Sequence, residues 1–448
     1  MKTSSRLTLS RLTLCAVLSV AVLATTPFTA EFGVVGFSAN AAEEKKRKTR
    51  RVPTISEAAF KKLGKAGELI ELKDYDGALE ILLEMAPRVR RYNGNELGNI
   101  YYNLAYIYYL KEDYSKAIDS YKSVLAQGEE VSEGTEINTL YTVAQLCSIE
   151  GRFQESLDFM EIWLTKANNP GPEPRVFLGQ VYYQMKDFSN ALIQLEIAIT
   201  MAIERNMKPK ENWWQLIAFM YFEKEDWPSY IETMKTLVKD FPKRDYWIQL
   251  AGIYGQEGEE RLQLNTMQAA YAADVFARQG DFTNLAGLLL QREAPYKAAK
   301  VMRDGFEREV IERSAANLQS LGQAWQLSQE VDEAIPVLEE AATLSDEGKI
   351  YERLAYLYME DDSYEKCVEA ANGALDKGGL RKRQTIYIVR GMCEYNQNKL
   401  TPARGSFVSC RNESRKDEDS NNRRICNQWI TFIDREADRQ KQLEAAGG

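Results

Sequence analysis

Residues 101–124 read YYNLAYIYYLKEDYSKAIDSYKSV, and one helical period runs through them twice. Tyr101, Leu104, Ala105 and Tyr108 recur at the three- and four-residue spacing of a single helix face. Ala117, Tyr121 and Val124 repeat that spacing beyond Lys111-Glu112-Asp113-Tyr114, a polar stretch suited to a turn. The pattern predicts two antiparallel helices. Their axes approach closely only where both carry a small side chain, here Ala105 and Ala117, while large residues a turn away fill the flanking space.

Working outward, the same arrangement returns as Leu318, Leu321, Gly322, Trp325, Ala334, Leu338 and Ala341, and again as Tyr351, Leu354, Ala355, Tyr358, Cys367, Ala371 and Ala374. The first small residue recurs at Ala66, Ala105, Ala144, Gly179, Ala218, Ala251, Ala286, Gly322, Ala355 and Gly391, nine steps averaging about 36 residues. This is the tetratricopeptide-repeat (TPR) grammar, a helix-turn-helix unit with a period near 34 residues. The chain is therefore expected to be all-α, a TPR superhelical solenoid of about ten repeats. Asn168-Asn169-Pro170-Gly171-Pro172 and Met207-Lys208-Pro209 sit where steps lengthen, and the first repeat is degenerate, with Lys62 at an aromatic position. Tyr230 and Gln263 replace the second small residue of the fifth and sixth repeats, which predicts helices splayed or shifted there. A solenoid end needs a helix that covers the last repeat and shows a polar outer face. Ile425, Trp429, Phe432 and Ile433 give residues 423–441 that capping role.

The N-terminus reads as a targeting segment. Lys2, Arg6 and Arg11 precede an uncharged apolar run from Leu12 to Ala24, and Ala39-Asn40-Ala41 offers a small-residue cleavage site. The run is too short to span a membrane. The cleavage site stands well beyond it, so an uncleaved anchor is the competing reading. Cys15 follows Leu14 where a lipoprotein site requires a small residue. The predicted layout is a signal peptide over 1–41, a basic flexible segment over 42–54, the TPR array over 55–415, and a linker, capping helix and tail over 416–448. Lys45, Lys46, Arg47, Lys48, Arg50 and Arg51 are expected to be solvated, with peripheral contact to anionic lipid or an acidic partner as the alternative. The expected location is the periplasm.

Composition narrows the function. The 448 residues contain no histidine, which removes the commonest general base and most zinc sites. No nucleotide loop, metal cluster or nucleophile constellation appears, so neither an enzyme nor a cofactor is expected. The net charge of -9 argues against nucleic acid as a partner.

Longer strings carry a family resemblance. KPKENWWQLIAFMYFEKEDWPSYIETMKTLVKDFPKRDYWIQLAGIYGQEGEE at 208–260, APYKAAKVM at 294–302, DEAIPVLEEAATLSDEGKIYERLAYLY at 332–358 and ALDKGGLRK at 374–382 resemble one group of exported TPR proteins of Gram-negative bacteria. That group is assigned to TonB systems. The resemblance spans most of the mature chain and is weakest at both ends. It implies a periplasmic accessory of TonB-dependent uptake, such as iron-siderophore import, with TonB, ExbB and ExbD components as partners. The alternative is a scaffold for envelope or cell-wall assembly. The tenth repeat departs from the group, with Cys393, Cys410 and a charged linker.

In a TPR array, positions 2, 5, 9 and 12 of the first helix line the concave face. They are Asn99, Tyr102, Tyr106 and Tyr109 in the second repeat, then Asn138, Tyr141 and Gln145. Gln180 and Tyr183 follow, then Asn212, Gln215, Phe219 and Phe222, with Gln319, Gln323 and Gln326 in the eighth repeat. Amides pair with an extended backbone and aromatics supply rigid contact area, so a protein or extended peptide is the expected ligand. Tyr101 and Tyr108 take the opposite phase and are expected in the core. Leu63, Gly67, Tyr102 and Tyr106 stand where a carboxylate clamp would need Lys and Asn.

Cysteine spacing excludes CxxC chemistry. Cys147 and Cys367 are expected to pack as small core residues. Cys410 and Cys426 are a candidate disulfide across the Arg411 to Asn422 linker, with Cys393 as the competing partner.

Overall fold

The computed structural model describes residues 50–414 and 420–447, all-helical apart from turns and connections. The signal-peptide reading over 1–41 and most of the basic run lie outside the described residues. Contacts divide the chain at Leu237 and Val238 into two units.

The first unit holds α1 (Glu57–Glu71) with α2 (Tyr75–Met85), α3 (Gly94–Leu110) with α4 (Tyr114–Leu125), and α5 (Glu133–Ile149) with α6 (Phe153–Lys166). It continues through α7 (Glu173–Gln184) with α8 (Phe188–Glu204), and α9 (Glu211–Glu223) with α10 (Trp227–Asp240), which runs into the second unit. The second unit adds α11 (Arg244–Gln256) with α12 (Glu260–Ala272), α13 (Gln279–Gln291) with α14 (Pro295–Glu307), and α15 (Ala315–Leu327) with α16 (Val331–Leu344). It ends on α17 (Lys349–Glu360) with α18 (Tyr364–Lys377), α19 (Arg383–Asn396) with α20 (Leu400–Glu413), and α21 (Ser420–Gly447).

The register of the repeats is written in the backbone. All ten of the first small residues are buried. Seven residues after each, the chain takes a positive φ: Lys73, Glu112, Gly151, Lys186, Glu225, Gly258, Glu293, Gln329, Asp362 and Asn398. A left-handed residue ends the first helix and reverses the chain within the turn. Only Gly151 and Gly258 adopt it without the clash of a Cβ. An aspartate often follows and starts the second helix. Asp74, Asp113 and Asp187 each accept the backbone N–H of Gly77, Lys116 and Asn190.

Where the small residue is glycine, the space is filled from the second helix. A Cβ on Gly179, Gly322 or Gly391 would meet Leu195, Leu338 or Phe407 at 2.9, 2.5 and 2.8 Å. Ser156 stands at the second small position of the third pair and donates to the Ala144 carbonyl at 2.6 Å. The two large exceptions are absorbed differently. Tyr230 is buried against Phe222 and Trp227 at ring distances of 5.8 and 6.4 Å. Gln263 lies against Gly255, whose missing side chain makes its room.

In the second unit one core runs from Ala251 to Cys393. Asp281 is its one buried carboxylate anchor to the preceding pair. It accepts Arg244 Nε and Nη2 at 2.7 and 2.5 Å and the backbone N–H groups of Ala277 and Arg278 at 3.0 and 2.9 Å. A second cluster joins Ala403 and Phe407 to Ile430 and Ile433 of α21, with Trp429 stacked on Phe407 at 5.1 Å. The capping helix matches expectation at Trp429 and Ile433 and departs from it on either side of them. Cys426, Ile430 and Ile433 point inward, whereas Phe432 is 47% exposed and spreads beside Tyr395. The linker is also shorter than expected, because Arg411 to Glu413 belong to α20 and Asn421 and Asn422 to α21.

The cysteines pair at two successive junctions of the second unit. Cys367 is bonded to Cys393 (Cα–Cα 6.3 Å) and Cys410 to Cys426 (6.1 Å). Cys367 is thus not a simple core residue, and Cys393 does not compete for Cys410, because α18 delivers its own partner. Cys147 is free and buried, and burial beside Glu155 pushes its thiol up to about 12.

Candidate partner-binding groove

Thirteen of the sixteen groove residues predicted from sequence lie in the first unit, on α3, α5, α7 and α9, and none of these is fully buried. Gln319, Gln323 and Gln326 lie on α15 in the second unit. Helix periodicity explains the first set. Asn99, Tyr102, Tyr106 and Tyr109 share a face of α3 offset from Leu104, Ala105 and Ile107, which enter the core.

The aromatic members are locked from below. Tyr102 stands edge-on to Tyr121 at 5.5 Å, and Tyr109 lies 6.2 Å from Tyr114. Tyr141 packs on Trp163 of its own pair at 5.1 Å and on Phe177 of the next at 5.9 Å. Tyr183 stacks on Phe188 at 6.0 Å and meets Phe219 edge-on at 5.8 Å. Phe222 touches Trp227 at 5.6 Å. Rings therefore bridge α5 to α7 and α7 to α9. Trp163, Phe177, Phe188 and Trp227 support this face and were not singled out from sequence. Their signal was a large aromatic near each turn or facing a groove ring from the neighbouring helix.

The division between core and groove tyrosines is less sharp than the sequence suggests. Tyr101 and Tyr108 are part-buried, and Tyr102 and Tyr109 also pack against the core around Ala117 and Tyr121. Burial, with Tyr106 alongside, raises the phenol of Tyr102. Burial, with Glu173 adding to it, lifts Tyr141 to about 12. These hydroxyls stay protonated at neutral pH and can donate hydrogen bonds.

The amides are more open. Asn138, Gln180, Asn212 and Gln215 are exposed. Asn99 donates to the carbonyl and side chain of Asn95 at 2.8 and 3.3 Å. Asn95 lies one turn earlier on the same face and donates to the Pro53 carbonyl at 2.8 Å. It is a polar contact that sequence reasoning missed, although the spacing to Asn99 and Tyr102 placed it there. Glu173 is the single charge among positions 2, 5, 9 and 12 of these four helices, and Lys210 approaches it at 3.4 Å. The face is therefore neutral, part apolar and rich in hydrogen-bonding groups. Among the described residues no group of three or more His, Cys, Asp or Glu is placed to hold a metal ion, and no helix is long and apolar enough to cross a membrane.

A family profile described as Tetratricopeptide repeat matches residues 96–161. No curated protein matches the chain significantly. Similar solved structures include a tetratricopeptide repeat protein from Parabacteroides merdae, at 13% identity, covering 58% of this chain and 98% of that one, TM-score 0.28. YrrB, described as a TPR protein with an unusual peptide-binding site, is similar at 11% identity over 42% and 95% of the two chains, TM-score 0.34. The TPR2AB-domain:pHSP90-complex of yeast Sti1 is similar at 13% identity over 59% and 98%, TM-score 0.30. With TM-scores below 0.5, none of these likenesses carries an argument about this chain. In fold the chain is a tetratricopeptide-repeat solenoid, with the matched profile on α3 to α6 and the same small-residue and turn spacing running through all ten pairs.

Proposed function

We propose that the protein is a scaffold whose first unit grips an extended segment of a partner protein, and that it serves a TonB-type uptake system in the periplasm. The carrying observation is the neutral aromatic and amide face of α3, α5, α7 and α9. Such a face supplies rigid contact area and backbone hydrogen bonds without acid, base or nucleophile in a catalytic arrangement. Support for the location comes from the targeting pattern in the sequence and from the two disulfides, which persist in oxidising compartments. Support for TonB involvement comes from the strings over 208–382. An envelope-assembly scaffold is the second reading, since the same face accepts any extended segment.

A photo-crosslinking side chain placed at Tyr106 tests both levels, with Ile193, exposed on α8, as the comparison position. An adduct with a TonB, ExbB or ExbD component from position 106 alone is the expected result. Adducts only with cell-wall assembly proteins favour the second reading. Equal labelling from position 193 refutes the groove. Tyr106→Ala is expected to weaken binding of the crosslinked partner about tenfold, the loss of one interfacial aromatic, with the far-ultraviolet circular dichroism unchanged.

A further inference from the structure

The basic segment was expected to be solvated, yet its described end is docked. Residues 50–56 run without helix into α1. Ser56 caps α1, accepting the N–H groups of Ala59 and Phe60, and five further hydrogen bonds tie the segment to the starts of α3 and α5. Arg50 Nη1 donates to Glu136 Oε2 at 2.8 Å and to the Val131 carbonyl at 3.2 Å. Asn95 binds the Pro53 carbonyl, Asn93 donates to the Thr54 carbonyl at 2.9 Å, and the Ser56 N–H donates to Glu96 at 2.8 Å.

Two physical features distinguish this from incidental packing. Three of these five contacts read only the backbone of an extended chain, and the other two read one side chain, that of Arg50. Pro53 keeps the segment extended, because it fixes its own φ and disfavours helix at Val52. The arginine subsite is also built independently of its occupant. Glu136 is 14% exposed and holds Lys166 at 3.0 Å as well as Arg50, which is itself 23% exposed. Burial works against its ionisation, and the two cations outweigh it. With Arg50 withdrawn, Lys166 still neutralises the buried carboxylate. The Asn93 side chain likewise caps α3 through its oxygen, leaving its N–H groups for the visitor.

We propose that this face is a second recognition site, for an extended segment carrying an arginine three residues ahead of a proline, and that Arg50 to Ser56 fill it in cis until a partner segment of that pattern displaces them. The tether is short, which gives the strap an effective concentration on the order of millimolar. A partner must therefore bind more tightly than the strap, and the strap sets a threshold against weak ligands.

The test uses the full chain and a fluorescein-labelled peptide of sequence RRVPTISE, residues 50–57, read by anisotropy. Arg50→Ala empties the arginine subsite without altering its walls, so this variant is expected to bind the peptide at least tenfold more tightly than the parent. Adding Glu136→Gln, or separately Asn95→Ala, is expected to abolish the gain. Equal binding by Arg50→Ala and parent overturns the proposal, as does a gain that survives both additional substitutions. A parent dimer that Arg50→Ala dissolves in sedimentation also overturns it, because the trans occupant is then the strap of a second copy.

Discussion

Replacing Asp281 gives a direct measure of how one helix pair is tied to the next. Its carboxylate is almost fully buried and receives four donors, two from Arg244 and two from the backbone of the α13 cap. Removing one member of a buried, hydrogen-bonded pair costs about 3–5 kcal/mol, mainly through the groups left unpaired. Arg244 is not stranded, since Asp245 stays at 2.7 Å on an exposed side. Asp281→Ala should therefore fall at the lower end, at about 3 kcal/mol. Asp281→Asn should cost less, about 2 kcal/mol, because an amide oxygen in the place of Oδ2 keeps the two backbone bonds while its NH2 opposes the guanidinium. Asp245→Asn, an exposed control, should cost under about 0.5 kcal/mol.

The pH dependence follows from the same geometry. Burial raises the Asp281 pKa, but Arg244 and the two backbone donors outweigh it and hold the group below the ordinary carboxylate range. A depressed folded pKa contributes stability that is complete above the unfolded value, near about 4, and is lost as pH falls through the folded one. The gap between parent and Asp281→Asn should be full at pH 7 and shrink below about pH 4. Hydrogen exchange of the α11 and α13 amides, with urea melts, reads both effects. A cost for Asp281→Ala indistinguishable from Asp245→Asn, or a gap that grows on acidification, refutes the reasoning.

Two further outcomes are expected. Mass mapping of non-reduced peptides should find Cys367 with Cys393 and Cys410 with Cys426, leaving Cys147, among the described residues, as the thiol that reacts only on unfolding. Reducing these bridges, which close separations of 26 and 16 residues, should lower the second unit's stability by about 3 kcal/mol each, and an unchanged urea midpoint after reduction contradicts that. Two helical glycines should respond with opposite sign. Gly322→Ala drives a Cβ into Leu338 and should destabilise by about 1 kcal/mol. Gly287→Ala meets nothing within 4 Å and should stabilise by about 0.5–1 kcal/mol through helix propensity, measured in paired urea melts.

The helix pairs were legible because their determinants are local and periodic. A small residue, a partner twelve positions later and core residues at helical spacing follow from helix geometry alone, and the left-handed turn seven residues after each small one confirms that register. The aromatic and amide face was legible for the same reason, since residues four and seven apart share a side of a helix. What the sequence left open depends on neighbours distant along the chain. Which face of α21 turns inward is set by the shape left by Phe407, so Ile430 rather than Phe432 is buried. Cys393 meets Cys367 because two consecutive pairs stack, a choice that spacing alone does not make. Arg50 and Glu136 stand 86 residues apart, and Arg244 and Asp281 stand 37 apart, so each charge reads as a solvated surface residue until the packing of helix pairs removes its water and supplies its partner. Helical period is a property of the segment, whereas pairing, phase at an array end and the burial of charge belong to the stack.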